Sequence, residues 1–441
     1  MGRKTRWLSF GAVILLALIL RAVVTWFAVS EPSRLGRPDT PGYMDPARAL
    51  AEHGEYPTTR RPPGLPVLAA AVFSCGGGET ELSWILMCFG AATTAVVMYA
   101  GRVYGGDRSA LTAGVLYALH PTAIGNAPLL LTDTLGGFFT ALQFLFFLLY
   151  WKRKKYWACC AASACAGIGA LIRPINVLWI IPLVVLIIFS SGMKLKVKAK
   201  YALISTFIFC ALIFPWMFRN IKCGAGFCID TNTGAMYHQN GAMLAAEVYG
   251  TGYEYEKARI LSEQEIEFSD LSRYPDEKSR EEYRIKKYRE LVCRHFGIWL
   301  KQQFDWRVLL PDAPAVLEAF GVTSSDRGTM DVMKRQGVMA AVRHYFGENW
   351  LWWLLLLSPL LMAALLTAAA SFLEVAGALV NIGKCWFEFF VFLAFVEYYF
   401  FLPGAVTVPR YQLPALPCMC VFAAIIFARF IKHDGNVNTA S

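Results

Sequence analysis

Apolar residues gather along the chain into ten stretches, each nearly free of charge: 7–29, 82–103, 109–124, 134–151, 157–172, 175–190, 201–218, 350–372, 385–402 and 413–430. A bilayer's hydrocarbon core is about 30 Å thick and takes roughly 20 helical residues to cross. The pattern therefore predicts an all-α polytopic membrane protein, a bundle of about ten transmembrane helices. The first stretch contains Arg21 and has no small-residue cleavage site after it, so it reads as a retained helix and not as a removed signal peptide.

Two polar segments between the spans are long, 31–65 and 219–349. In the first, Pro41 suits a helix start capped by Asp39 or Thr40, and Gly54 suits its stop, which predicts a helix over 41–53. Met44, Ala47, Leu50 and Ala51 share one face of it, so it is expected to lie in the plane of the membrane interface. In the second segment, Tyr288, Leu291, Val292, Phe296, Trp299, Leu300 and Phe304 recur at helical spacing and mark one amphipathic helix. Met330, Met333, Val338, Met339 and Val342 mark another. The chain divides into an N-terminal membrane module 1–218, a loop region 219–349 and C-terminal spans 350–441, without internal repeats, low-complexity sequence or separating linkers.

Composition removes the soluble alternatives. Hydrophobic residues make up 56% of the chain and charged ones 17%, with a mean hydropathy of +0.43, against about a quarter charged in an ordinary soluble domain. The net charge of +10 sits at span ends, not in basic runs interleaved with aromatics, which argues against a nucleic-acid partner. With a cytoplasmic N-terminus, Arg102, Arg108, the basic runs at 152–155 and 194–200, Lys384, Arg429 and Lys432 all fall on the cytoplasmic side, as the positive-inside rule requires. The other side receives 31–65, the turns at 126–132 and Arg173, the loop region, and 403–410. That loop region carries 18 Lys and Arg against 19 Asp and Glu, while the rest of the chain carries 24 against 13, so charge alone sets it apart from the membrane body.

Eight of the twelve cysteines lie within spans, where a thiol is an ordinary small hydrophobe. Cys223 and Cys228 lie in the loop region, where an oxidising compartment would let them close a small disulfide. Neither has a histidine at ligand spacing, and His238 alone makes no metal site.

The segment Arg37-Pro38-Asp39-Thr40-Pro41-Gly42-Tyr43 and the turn Arg60-Arg61-Pro62-Pro63-Gly64 place a carboxylate and guanidiniums at one depth, that of a lipid headgroup. A guanidinium binds phosphate oxygens two at a time. All five Lys or Arg positions of 31–65 are Arg, namely Arg34, Arg37, Arg48, Arg60 and Arg61, a preference that fits phosphate recognition better than bulk charge. A structural reading stands beside this one. Asp39 caps a helix, Thr132 or Asp133 caps the span at 134, and Arg173 and Arg410 at span ends face helix carbonyls or snorkel as anchors.

These motifs together resemble the integral-membrane glycosyltransferases of the GT-C fold, specifically the protein O-mannosyltransferase and aminoarabinose-transferase relatives. The resemblance rests on Asp39, Tyr43 and Arg61-Pro62-Pro63-Gly64, and further on Thr132-Asp133-Thr134, Ile172-Arg173-Pro174, Pro215-Trp216 with Arg219-Asn220, and Arg410-Tyr411-Gln412-Leu413-Pro414. Several of those relatives carry Asp-Glu where this chain has Asp39-Thr40. The resemblance implies transfer of one sugar from a polyprenyl-phosphate donor to an acceptor hydroxyl on the non-cytoplasmic face, with inversion. It implies Asp39 as general base, and Arg61, aided by Arg60 or Arg410, against the leaving phosphate. Tyr43 and Arg173 join the substrate site. Asp133 orients the acceptor or a divalent metal, which the resemblance does not make obligatory.

The implied partners are the lipid-linked donor, a lipid, glycan or protein acceptor, and membrane lipids. No Gly-rich nucleotide loop is present, in keeping with a lipid-linked donor, and the lack of an Asn-X-Ser/Thr sequon fits a bacterial inner membrane. A polysaccharide polymerase or ligase would not need the Asp39 and Arg61 pairing. A transporter would place its ionisable groups near mid-bilayer and often show two similar halves.

Overall fold

The computed structural model describes residues 3–190, 194–269, 277–304, 306–323 and 329–437, and among them every regular element is helical. The chain begins with α1 (Arg3–Val29), α2 (Pro41–His53), α3 (Gly64–Ser74), α4 (Glu79–Gly105), α5 (Asp107–Leu119), α6 (Pro121–Gly125), α7 (Thr132–Arg153), α8 (Trp157–Ile172), α9 (Ile180–Phe189) and α10 (Leu195–Lys222). The loop region holds α11 (Thr233–Tyr249), α12 (Tyr253–Phe268), α13 (Glu277–Arg294), α14 (Phe296–Gln303), α15 (Ala313–Ala319), α16 (Thr329–Gln336) and α17 (Val338–Phe346). The remaining helices are α18 (Trp350–Val380), α19 (Ile382–Phe392), α20 (Tyr398–Phe401) and α21 (Leu416–Val437).

Five helices are long and apolar enough to cross a bilayer, Thr5–Val29, Glu79–Gly105, Thr132–Arg153, Leu195–Lys222 and Trp350–Val380, which makes this an integral membrane protein. The other five expected spans are shorter or broken. Three correspond to shorter apolar helices, Trp157–Ile172, Pro174–Phe189 and Leu416–Arg429. The stretch 385–402 divides into α19, a π-helical turn over Leu393–Glu397, and α20.

The stretch 109–124 breaks at His120, ahead of Pro121. Proline has no N–H to give the Tyr117 carbonyl one turn back. Arg21 of α1 replaces it, donating from Nη2 to Tyr117 O (3.2 Å) and from Nη1 to Ala118 O (3.4 Å) and Ala17 O (3.2 Å). This fully buried guanidinium thus closes a helix end inside the membrane body.

α7 is apolar around its whole circumference and is the most buried of the long helices, with α4 and α8 packed on it. α1, α10 and α18 lie at the periphery and expose Trp7, Leu15, Trp26, Leu203, Phe207, Leu355 and Leu365, the faces that lipid covers. At one end of the bundle charges pair off. Asp107 meets Arg6 (3.0 Å) and Arg102 (2.9 Å), Lys152 meets Glu388 (3.0 Å), and Arg429 grips Glu374 with two bonds of 2.6 and 2.9 Å.

The opposite end gathers the polar segments. Arg37 pairs with Glu318, Asn126 Nδ2 donates to Asp312 (2.8 Å), and Gln412 Nε2 donates to Leu310 O (2.6 Å). The two amphipathic helices expected in the loop region are each split in two. His295 leaves the helical region between α13 and α14, and Gly337, at φ +87°, separates α16 from α17. Of Met330 only the backbone is described. Apolar periodicity persists across a one-residue break, so sequence spacing alone joins the halves. Cys223 and Cys228 are not joined by a disulfide, and the Cys228 thiol donates to Ala225 O (3.3 Å) of its own loop.

Candidate active site

Helix α2 has the bounds its sequence predicts, and Gly54 ends it in the left-handed conformation at φ +69°, its N–H bonded to Leu50 O (3.1 Å). Its apolar face packs on protein: Met44 and Ala47 are buried in one cluster with Leu65, Ala69, Leu82 and Leu86. Thr40 holds the N-cap position without capping. Its hydroxyl accepts from Arg37 N–H (2.9 Å) and donates to Leu130 O (3.3 Å), tying the loop to the turn before α7. Asp39 makes no cap bond either; its carboxylate receives Arg61 Nη2 at 2.7 Å.

The turn that carries Arg61 is held from several sides. The Tyr56 hydroxyl donates to the carbonyls of Arg61 (3.0 Å) and Pro62 (3.2 Å). From the end of α10, Arg219 donates to Thr58 O (3.0 Å) and Tyr56 O, and its guanidinium lies 4.9 Å from the Trp216 ring. Arg61 consequently turns inward over the Tyr43 ring (4.7 Å) and bonds the Tyr43 hydroxyl (3.3 Å). A Cβ on Gly42 would sit 2.9 Å from Arg61 Nε, so the glycine leaves the guanidinium its room. Arg60, expected beside Arg61 at the substrate site, is exposed and lies outside the cavity that Arg61 lines.

Asp133 sits in the first turn of α7, where the helix N-terminus favours an acid. Leu131 holds the cap position, so neither Thr132 nor Asp133 is the cap. The Asp133 carboxylate is buried and takes the Arg173 guanidinium directly, with Arg410 Nε 3.9 Å from its other oxygen. A Cβ on Gly136 would stand 2.9 Å from Arg173 Cδ, so this glycine admits the arginine stem. Arg410 also lies 3.5 Å from Asp39, and its Nε is buried with no hydrogen-bond partner among the described residues. Tyr411 lies beside both guanidiniums, 5.4 Å from Arg173 and 5.8 Å from Arg410.

Burial works against the charge on Arg61, but Tyr43 and Asp39 outweigh it and raise its pKa. Burial opposes the charge on Arg410 likewise, and there Asp133, Tyr411 and Asp39 prevail. Both guanidiniums stay charged. Burial pushes the Tyr43 phenol up despite Arg61 and Arg173, which keeps it a hydrogen-bond donor.

Asp39, Tyr43, Arg61, Asp133, Arg173 and Arg410 all line one cavity of about 650 Å³. A second wall of it is apolar, formed by Ile175, Val177, Leu178, Met217, Phe227 and Leu402, and Leu178, Phe227 and Leu402 are themselves exposed on the bundle surface. Three guanidiniums, Arg61, Arg173 and Arg410, meet three carboxylates, Asp39, Asp133 and Asp230, beside an apolar channel open to the outside. Asp230, Asn232, Gln239 and Asn240 also line the cavity, and no sequence motif singled them out. The signal available was their place just after Trp216, Arg219 and Asn220. No group of three or more His, Cys, Asp or Glu among the described residues is arranged to hold a metal. Asp39 and Asp133 are engaged by guanidiniums, so the donor set does not fit the divalent ion considered at Asp133.

Residues 60–218, a little over a third of the chain, match the family of dolichyl-phosphate-mannose-protein mannosyltransferases. The matched stretch includes Arg61, Asp133, Arg173 and Trp216, and leaves out Asp39, Asp230 and Arg410. Over 98% of its length the chain superposes on the oligosaccharyltransferase of Archaeoglobus fulgidus tethered to an acceptor peptide, with a TM-score of 0.55 at 14% identity, covering 50% of that protein. The chain has the GT-C fold.

The same archaeal enzyme, AglB, in complex with an inhibitory peptide and a dolichol-phosphate, aligns with 99% of the chain at a TM-score of 0.54 and 14% identity, with 52% of AglB covered. ArnT from Cupriavidus metallidurans, bound to undecaprenyl phosphate, aligns at a TM-score of 0.48 and 14% identity over 97% of this chain and 61% of ArnT. The chain spans about half the length of the archaeal structures it matches. No curated protein matches the sequence.

Proposed function

We propose that the protein moves a single sugar from a polyprenyl-phosphate donor to an acceptor hydroxyl, with inversion, on the non-cytoplasmic face of a bacterial inner membrane. The observation that carries this reading is the cavity itself. A pocket with three guanidiniums that opens through an apolar wall onto the bundle surface fits an amphiphile with an anionic head, and lipid-linked sugars have that form. A protein of the same fold has been captured with a dolichol-phosphate.

The two carboxylates divide the work. The Asp133 side chain is 6% exposed and committed to Arg173, so it holds the guanidiniums in place. The Asp39 side chain is 47% exposed and faces the cavity, so it takes the proton as the acceptor oxygen attacks the anomeric carbon. The bond from that carbon to the phosphate oxygen breaks on the opposite face, and polyprenyl phosphate leaves with its charge increased.

Arg173 is taken by Asp133, and Arg61 by Asp39 and Tyr43. Arg410 has the weakest hold on its partners, at 3.5 and 3.9 Å with a buried N–H unmet, so it is the guanidinium readiest for the departing phosphate, with Arg61 beside it. The acceptor is a lipid, glycan or protein hydroxyl admitted beneath the loop region. Purified protein in nanodiscs titrated with polyprenyl phosphate tests the reading. It predicts saturable binding that falls with added inorganic salt and weakens in Arg410→Ala; the absence of saturable binding would refute it.

A further inference from the structure

The segment that follows α10 is fastened into the cavity wall at both ends. Asn220 Nδ2 donates to the carbonyls of Cys228 (2.9 Å) and Ile229 (3.0 Å), and Trp216 Nε1 donates to Ile229 O (2.8 Å). On the other side of Asp230, the Thr231 N–H donates to Thr59 O (3.0 Å), in the turn that carries Arg61. Asp230 lies between these anchors, 9% exposed, with its carboxylate lining the cavity and close enough to Arg61 to favour that guanidinium's charge. Asn232, and Gln239 and Asn240 of α11, line the same cavity, and Asn240 Oδ1 is buried with no hydrogen-bond partner among the described residues.

A lipid-linked sugar has three parts, and two do not account for this wall. An apolar tail has no use for a carboxylate and three amides, and a phosphate is repelled by Asp230. Vicinal hydroxyls need such groups, because each O–H must donate and accept once water is excluded. We propose that Asp230, with Asn232, Gln239 and Asn240, forms the wall that binds the hydroxyls of the donor's glycosyl group, Asp230 accepting hydrogen bonds from them. This rests on the donor reading above and adds the part of the donor that this segment recognises. The bond from Thr231 N–H to Thr59 O, which ties this wall to the turn that carries Arg61, is what favours the donor sugar over the acceptor, since the sugar carbon is bonded to the phosphate that Arg61 faces.

The test uses the full chain in nanodiscs and two probes, polyprenyl phosphate and the same lipid phosphate carrying a hexose. The wild type is expected to bind the hexose-bearing lipid more tightly than the bare one. Asp230→Ala should lower affinity for the hexose-bearing lipid by about ten- to a hundred-fold, the size expected for hydrogen bonds to a charged group. It should not weaken affinity for bare polyprenyl phosphate, since it removes a negative charge near the phosphate, and that retained binding also shows that the variant is folded. Gln239→Ala, on a separate helix, should act in the same direction by several-fold.

An equal loss for both lipids would overturn the proposal and place Asp230 with the phosphate or the fold. No loss for either in both variants would overturn it and turn the wall toward the acceptor, while leaving the donor reading intact. Failure of the wild type to bind either lipid would sink the donor reading itself, and this proposal with it.

Discussion

Replacing Arg410 separates a phosphate ligand from a structural tie. In the structure its guanidinium spans Asp39 and Asp133 at 3.5 and 3.9 Å, too far for strong bonds to either, and its Nε is unmet. Truncation to Ala therefore removes little that Arg173 does not already supply to Asp133, and the expected loss of folding stability is about 1 kcal/mol. A phosphate held by two N–H groups loses more. A hydrogen bond to a charged group contributes roughly 1.5–3 kcal/mol, which corresponds to about a 10- to 150-fold weaker affinity for polyprenyl phosphate. Transfer should slow further, by about 100-fold or more, because the leaving phosphate gains charge as the sugar departs.

Arg410→Lys should recover the charge but not the two-point contact, and so fall between wild type and Ala. The assay is equilibrium binding of radiolabelled polyprenyl phosphate in nanodiscs beside turnover of the hexose-bearing lipid, with thermal unfolding as the control. Unchanged donor affinity in Arg410→Ala would refute the assignment. So would a large drop in unfolding temperature with normal turnover per folded molecule.

Arg61→Ala should weaken donor binding while Arg60→Ala, at an exposed position outside the cavity, should bind and turn over donor as the wild type does; equal effects at the two positions would show that the turn, not the inward guanidinium, matters. Asp133→Asn leaves Arg173 buried beside a neutral amide and should cost about 3–5 kcal/mol of stability, read by denaturation in detergent; an undiminished unfolding transition would contradict the holding role. With Cys75, Cys88, Cys223 and Cys293 replaced by Ser, a cysteine at Lys286 on exposed α13 should react with a membrane-impermeant maleimide in whole cells and one at Lys154 should not. The reverse pattern would invert the proposed orientation.

Much of this molecule is legible in its sequence because the strongest signals are local. The apolar stretches and the helix over 41–53, with Pro41 at its start and Gly54 at its end, require no knowledge of distant residues. The grouping of Asp39, Tyr43 and Arg61 is nearly as accessible, since one short segment carries all three. What escaped is set by tertiary contact. Nothing in two adjacent arginines tells which one turns inward; Tyr56, Trp216, Arg219 and Gly42 decide that for Arg61.

α3 is too short to read as a span, and it packs against α2 and α8. Arg21 has the look of an intramembrane functional charge, yet it serves the helix end that Pro121 opens. Asp230 belongs to no periodic pattern and enters the cavity only because the segment after α10 is bonded to Asn220, Trp216 and Thr59.

The account rests on Asp39 as the base in sugar transfer from a polyprenyl phosphate. The most direct measurement is release of polyprenyl phosphate from its labelled hexose conjugate by wild type and Asp39→Asn, in nanodiscs at equal donor occupancy, with an envelope extract supplying acceptors. Asn preserves the size of the side chain, and neither residue caps α2, so folding and donor binding should persist while release falls by about 100-fold or more. Release by Asp39→Asn at the wild-type rate, from protein that binds donor normally, would contradict the account.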